Sequence, residues 1–237
     1  MRNNSGPHRR HSPAGPRQAG ALALGLLLFL GGGGAPAQLS RLSEEAIRSF
    51  TMTYGREARR RLLNWQEVMQ ANMASSGEVK RKAANDYFNR IPWLTDDEHW
   101  GQADYWATPL EMIGSNGGDC EDYSISKYFT LLELQVPRDR LLITYVRAPA
   151  LDQTHMVLAY YPTPDADPLI LDNYNQTIML GSERTDLIPV YSFNGDGLWL
   201  AVQRSLGRRV GDSTTLAQWR GLLERMEKEG LIENRSE

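Results

Sequence analysis

Apolar residues recur at helical spacing across residues 39 to about 68. Ile47, Phe50, Tyr54, Leu62, Trp65 and Met69 fall along one side, after a start signal at Ser43-Glu44-Glu45-Ala46. A second helix is expected over residues 78–89, with Val79, Ala83, Tyr87 and Arg90 along one side and Pro92 ending it. Residues 91–118 lose the period and read as irregular. Their aromatic cluster, Trp93, Trp100, Tyr105 and Trp106, is either core packing or the wall of a substrate cleft. Residues 119–135 read as a buried helix with Ile125, Tyr128/Phe129 and Leu132 facing one way, stopped by Val136-Pro137.

From there the period shortens. Residues 141–146 are β-rich, 155–161 alternate, and 169–171 are short and apolar. Residues 189–193 are expected to pair with 198–202 across Asn194-Gly195-Asp196-Gly197. Residues 214–229 close the chain as a helix, with a loose tail beyond Leu231. Helices first and a meandering antiparallel sheet later make an α+β domain.

The first 37 residues stand apart from this pattern. Residues 1–20 hold four arginines, two histidines and no acid, and the apolar run from Ala21 to Leu30 follows. Ala35-Pro36-Ala37 matches a small-x-small cleavage pattern, so residues 1–37 read as a signal peptide processed after Ala37, with export to the periplasm. The apolar run is shorter than the roughly 20 residues of a membrane span; an uncleaved anchor is the alternative. Arg9-Arg10 raises twin-arginine export, which the neighbouring residues support little.

Without the leader, 200 of the 237 residues remain. The four leader arginines go with it, leaving 22 basic against 29 acidic residues, a net charge of −7. That is one domain, long enough to bury its own core. The acidic balance argues against nucleic acid or anionic lipid as the main partner.

The whole chain carries one cysteine, so no intramolecular disulfide or multi-cysteine metal site is available. Cys120 sits in Gly117-Gly118-Asp119-Cys120-Glu121-Asp122-Tyr123. The two glycines allow a sharp turn, Asp119 is a good N-cap, and Cys120 falls at the first helical position. There the free N–H groups and the helix dipole favour a thiolate. A free thiol in an oxidising compartment also points to a thiol that is used.

A thiol nucleophile needs a base and a group to orient that base. His99 and His155 are the only histidines after the leader. Residues 162–167 read as the connection between two antiparallel strands. If Tyr161 pairs with Pro168, Val157 faces Asp172, and His155 lies diagonal to Asp172 on the same face, about 7–8 Å away at the backbone. The expected triad is Cys120 as nucleophile, His155 as proton shuttle and Asp172 as its orienter. The Cys120 N–H and a polar group from residues 106–116 would complete an oxyanion site. The acids beside the thiol leave two readings open: ordinary helix-start chemistry, or Asp119, Glu121 and Asp122 as oxygen ligands to a hard cation, Ca²⁺ over Zn²⁺.

Trp106-Ala107-Thr108-Pro109-Leu110-Glu111, the box from Gly118 to Tyr123, His155-Met156-Val157-Leu158-Ala159-Tyr160-Tyr161 and Leu171-Asp172-Asn173 together resemble the bacterial transglutaminase-like cysteine proteinases. The resemblance runs from about Trp93 to Val202, with Tyr191-Ser192-Phe193-Asn194-Gly195 through Trp199 extending it. It implies a papain-like fold, with the nucleophile helix packed on an antiparallel sheet, and the Cys120–His155–Asp172 triad. Asp119 and Glu121 match the family's calcium-binding acids, with Asp122 beside them. The chain then divides into a helical part (38–92), a catalytic core (93–205) and a C-terminal helix and tail (206–237). The resemblance further implies a large surface adhesin as substrate, cut near its N-terminus in an Ala-Ala-containing motif to release biofilm cells. An inner-membrane cyclic-di-GMP receptor is implied as the inhibitory partner. Two other functions use the same residues differently: a transglutaminase passing the acyl group to an amine, and a non-catalytic periplasmic binding module.

Overall fold

The computed structural model describes residues 39–149, 153–200 and 207–232; the expected leader and the tail beyond Ile232 lie outside them. A 3-10 turn at Leu39–Arg41 precedes α1, Glu44–Asn72, whose N-cap is Ser43, accepting from Ala46 N at 3.1 Å. The apolar stripe behaves as its spacing predicts: Ile47, Phe50, Leu62, Trp65 and Met69 are buried. The helix is broken at Gly55, where φ of +85° suits a residue without Cβ.

The second helix, α2, spans Gly77–Phe88, and its buried face differs from the expected one. Ala84, Asn85, Tyr87 and Phe88 are buried, whereas Val79 is 46% exposed and Arg90 lies beyond the helix end. Asparagines on this face reach the sheet's loops. Asn85 Nδ2 donates to Gln176 O at 2.8 Å, and Asn89, at the C-cap, donates to Asp172 O at 3.0 Å.

The stretch 91–118 is not irregular. It holds α3, Asp96–Trp100, and α4, Pro109–Ser115. Each starts on a threonine with a glutamate three residues later. Thr95 accepts from Glu98 N, and Thr108 forms a full capping box with Glu111, with Pro109 at the first helical position. The nucleophile helix α5, Cys120–Glu133, follows and is buried nearly all round from Asp122 to Leu131. The closing helix α6 spans Ala217–Lys228.

Among the described residues, seven strands form one antiparallel sheet in the order β4-β3-β2-β1-β5-β6-β7. They are β1 Leu141–Ala148, β2 Gln153–Tyr160, β3 Leu169–Leu171, β4 Met179–Leu180, β5 Ile188–Asn194, β6 Gly197–Leu200 and β7 Arg209–Gly211. The β2–β3 register is the expected one: Leu158 faces Leu171 and Tyr160 faces Leu169. The hairpin at Asn194 also closes as expected, with Asn194 facing Gly197. β4 and β7 have no counterpart in the sequence reading, and residues 201–202 of the expected hairpin lie outside the described ones.

Alternation sorts the sheet's two faces. Ile143, Leu158 and Phe193 join the main core with Trp65, Phe88, Ile113, Ile125 and Trp219. Leu142, Val146, Val157, Ala159, Ile170 and Leu187 form a second cluster on the other face. The main core draws on the helical part, the central stretch and α6 alike, so the three sequence stretches share one interior. The net charge conceals one local feature: Arg56, Arg59, Arg60, Arg61 and Arg90 line a basic cleft of about 550 Å³.

Candidate active site

The nucleophile loop is set by close approach more than by glycine flexibility. The left-handed residue is Asn116, with φ 59° and ψ 45°, at the C-cap of α4. Gly117 and Gly118 serve a different need. A Cβ on Gly117 would lie 2.5 Å from Leu94 Cδ1, and one on Gly118 would lie 2.6 Å from Asp122 Oδ2. The Asp122 carboxylate fills that space because it ties two loops together. Its Oδ1 accepts from Ala107 N at 2.7 Å and its Oδ2 from Asp119 N at 3.2 Å.

Asp119 takes the N-cap position and Cys120 the first position of α5, as the sequence predicts. The helix start is docked on β2 by Ser124, whose hydroxyl donates to Met156 O at 3.0 Å. The Cys120 thiol donates to Glu121 Oε2 at 2.9 Å. Burial pushes this thiol well up; the charge of Glu121, its hydrogen bond and the charge of Asp119 push the same way, against one hydrogen bond from the Met156 backbone.

Cys120 and His155 line one cleft of about 880 Å³, with Trp93, Trp106, Tyr145 and Tyr174 among its walls. The aromatic cluster therefore divides: Trp93 and Trp106 line the cleft, with Trp93 52% exposed and Trp106 also packed on Phe193. His155 is buried, and its Nε2 lies 2.7 Å from Asp172 Oδ1. Asp172 follows the last residue of β3, so the diagonal relation read from the register becomes a direct contact once the strand ends. The same Oδ1 accepts from Tyr174 N at 3.0 Å, and Oδ2 accepts from Arg184 Nη2 at 2.8 Å. Burial works to raise this carboxyl. The hydrogen bond and charge of His155, with the bonds from Tyr174 and Arg184, outweigh it and hold the group well below the usual carboxylate range.

The other histidine is elsewhere. His99 packs edge-on against Trp100 with ring centroids 4.6 Å apart, sits under Gly117, and does not line the cleft. A second oxyanion donor is expected from residues 106–116. Within 106–116 only Trp106 lines the cleft, and its indole N–H is donated to Asp104 Oδ1 at 3.0 Å.

The acids gather more members than the sequence predicts. Asp96, Asp104 and Glu121 place carboxylate oxygens within 4.8 Å of one another, as do Asp96, Asp119 and Asp122. Asp96 Oδ1 and Asp119 Oδ1 are buried without a hydrogen-bond partner. Burial, then the neighbouring charges of Glu121 and Asp122, push the Asp119 carboxyl up to about 10; burial pushes Asp96 up to about 6. Unsatisfied, mutually repelling oxygen donors fit a hard divalent cation. Asp122 is the least available member, since both its oxygens already accept backbone N–H groups. Asp96 and Asp104 escaped sequence reading because they reach the site from α3 and the following loop, with no ligand spacing between them. Thr95, which caps α3, was the local signal for Asp96.

The family profile of the bacterial transglutaminase-like cysteine proteinases matches residues 48–205. No curated protein matches the chain. Among solved structures, EGTA-treated Legionella pneumophila LapG is 42% identical with a TM-score of 0.69, covering 78% of this chain and 98% of that one. Calcium-bound Legionella pneumophila LapG is 41% identical with a TM-score of 0.68, covering 78% of this chain and 100% of that one. The sequence profile spans two thirds of the chain and the structural likeness nearly all of a relative's length, and on that agreement this chain belongs to the bacterial transglutaminase-like cysteine proteinases.

Proposed function

We propose that the chain is an exported, calcium-dependent cysteine endopeptidase working through Cys120, His155 and Asp172. The observation that carries this reading is the buried His155–Asp172 pair, 2.7 Å apart, at a cleft whose wall also holds the chain's one thiol. Asp172 occupies Nε2, which leaves Nδ1 to exchange a proton with Cys120. The sulfur attacks the peptide carbonyl carbon as its proton passes to His155. The C–N bond then breaks and His155 returns the proton to the leaving amine. Water, deprotonated by the same imidazole, opens the thioester and regenerates the thiol. The backbone N–H of Cys120, at a helix start, faces the developing oxyanion.

Asp119 and Glu121, with Asp96 beside them, are the residues that would hold the ion, and the calcium-bound LapG structure supports Ca²⁺ as its identity. Bound there, the ion supplies positive charge that offsets the carboxylates around the thiol. The substrate we propose is the N-terminal region of a large surface adhesin, cut to release biofilm cells, and the inhibitory partner an inner-membrane cyclic-di-GMP receptor. The proposed site of action is the periplasm, after removal of residues 1–37.

The direct test incubates the mature protein with the N-terminal segment of a co-encoded adhesin, with calcium or with EGTA, beside a Cys120→Ala control. One cut that needs both calcium and the thiol is the expected outcome. Incorporation of a labelled amine without a cut would assign a transglutaminase instead, and no reaction in any arm would favour a binding module. The N-terminal residue of the periplasmic protein should be Gln38; an intact leader in the inner-membrane fraction would make the protein anchored.

A further inference from the structure

The Asp172 carboxylate has a second side-chain partner that the sequence did not reveal. Arg184 lies in the loop between β4 and β5, which is held by Asp167 accepting from Ser182 N at 3.0 Å and by a turn bond from Leu187 N to Arg184 O at 3.1 Å. Its side chain is buried, and one nitrogen, Nη2, reaches both Asp172 Oδ2 and Asp186 Oδ2 at 2.8 Å. Nε reaches Asp186 Oδ1 at 2.9 Å. The guanidinium lines the cavity behind the sheet, bordered by Val157, Ile170 and Leu187, and does not line the cleft that holds Cys120. It therefore lies outside the cleft where substrate would bind.

A carboxylate held at one oxygen can still turn about its Cβ–Cγ bond. Held at both, it presents a fixed lone pair to the imidazole. A planar guanidinium does this better than an ammonium because its donors are set in one rigid fork. We infer that Arg184 is a positioning residue for the reaction: it locks Asp172, through Asp172 orients His155, and is itself held by Asp186. The inference rests on the triad reading above. It extends the working group from three side chains to five and makes the β4–β5 loop part of the catalytic scaffold.

The test measures kcat and KM on the adhesin segment for Arg184→Met, Arg184→Lys, Asp186→Asn, Asp172→Asn and the Arg184→Met/Asp172→Asn double variant, with thermal unfolding to verify folding. Arg184→Met should lower kcat on the order of 10–100-fold, the range for outer partners that orient a functional group, with KM unchanged. Arg184→Lys should recover part of that loss. Asp186→Asn, whose side chain is 43% exposed, should fold normally and lower kcat a few-fold. In the Asp172→Asn background, removing Arg184 should change kcat less than about twofold, because its route to the imidazole is already gone.

Full kcat in Arg184→Met, a change confined to KM, or an equal further loss in the Asp172→Asn background would overturn the inference. The last result would make Arg184 a loop-packing residue. If Arg184→Met does not fold, Arg184→Lys and Asp186→Asn decide by the same criterion. Wild-type kcat in Asp172→Asn would instead sink the triad reading itself, a result distinct from failure at Arg184 alone.

Discussion

Cys120 has two opposed influences at one atom. Its place at the start of α5 favours the thiolate, while burial, Glu121 and Asp119 favour the thiol. Burial wins, with the two acids adding to it, so a cation that offsets their charge should favour the thiolate. Each pKa unit is tenfold in thiolate near neutral pH, so calcium should lower the midpoint of iodoacetamide alkylation by about one unit or more. Asp119→Ala and Glu121→Ala should abolish the calcium response. An alkylation profile unmoved by calcium, in an enzyme that still needs calcium to cut, would mean that the ion shapes the cleft and not the charge. The same acids set a pH dependence of stability. Folding raises Asp96 from its ordinary 3.8 to about 6 and Asp119 from 3.8 to about 10. These two groups then hold more protons in the folded chain than in the unfolded one; Lys127, lowered by burial from 10.5 to about 7, opposes them only above pH 7, so stability falls as pH rises from 5 to 8. Asp172 has the opposite sign, but its loss comes in acid below its ordinary value, outside the range tested. In EGTA the Tm should be higher at pH 5 than at pH 8, and calcium should narrow the gap; a Tm rising with pH in EGTA would contradict this account.

At the level of elements, the α4–α5 connection shows how local chemistry and close packing divide the work. Thr108 and Pro109 start one helix, Asn116 ends it in the left-handed region, and Asp119 starts the next. Gly118 makes room for Asp122, which ties the residue 107 loop to the helix start. Gly118→Ala should push that carboxylate aside and break the tie. A loss of roughly 1–3 kcal/mol is expected, the usual cost of overpacking, with weakened calcium binding. Urea unfolding and calcium titration check both, and wild-type behaviour in each would show that the loop can give way. The cap signals of α3 and α4 were present in the sequence as Thr95-x-x-Glu98 and Thr108-Pro109-x-Glu111. A helix of five or seven residues shows too little period to be recognised by spacing, and the aromatic residues between the two caps follow none.

Across the whole molecule, α6 returns to complete the core that α1 begins. Trp219 is buried against Phe129, stacked at 5.8 Å, and against Phe193, edge-on at 5.2 Å. It thus joins the nucleophile helix to the sheet. Trp219→Ala should cost about 3–5 kcal/mol through the cavity it leaves. Its indole Nε1 is buried without a hydrogen-bond partner. Trp219→Phe should therefore cost far less, since it keeps most of the contact and removes an unsatisfied donor. Denaturant unfolding of the two variants tests the order, and equal losses would show that the indole's own shape is required.

Helices before a meandering sheet, the cap at Ser43, the start of α5 at Cys120 and the β2–β3 register were legible along the chain. Each depends on neighbours a few residues apart, or on a turn whose length sets which positions face each other. The register placed Asp172 near His155 on one face, because pairing in a sheet converts sequence distance into spatial distance by a fixed rule. The buried face of α2 was not legible, since its polar Asn85 and Asn89 point inward to loops that only the folded sheet supplies. Nor were Asp96 beside Asp119, or Arg184 behind Asp172. Those contacts join elements whose relative placement is set by how side chains fill a shared interior, and no periodicity along the chain records that packing.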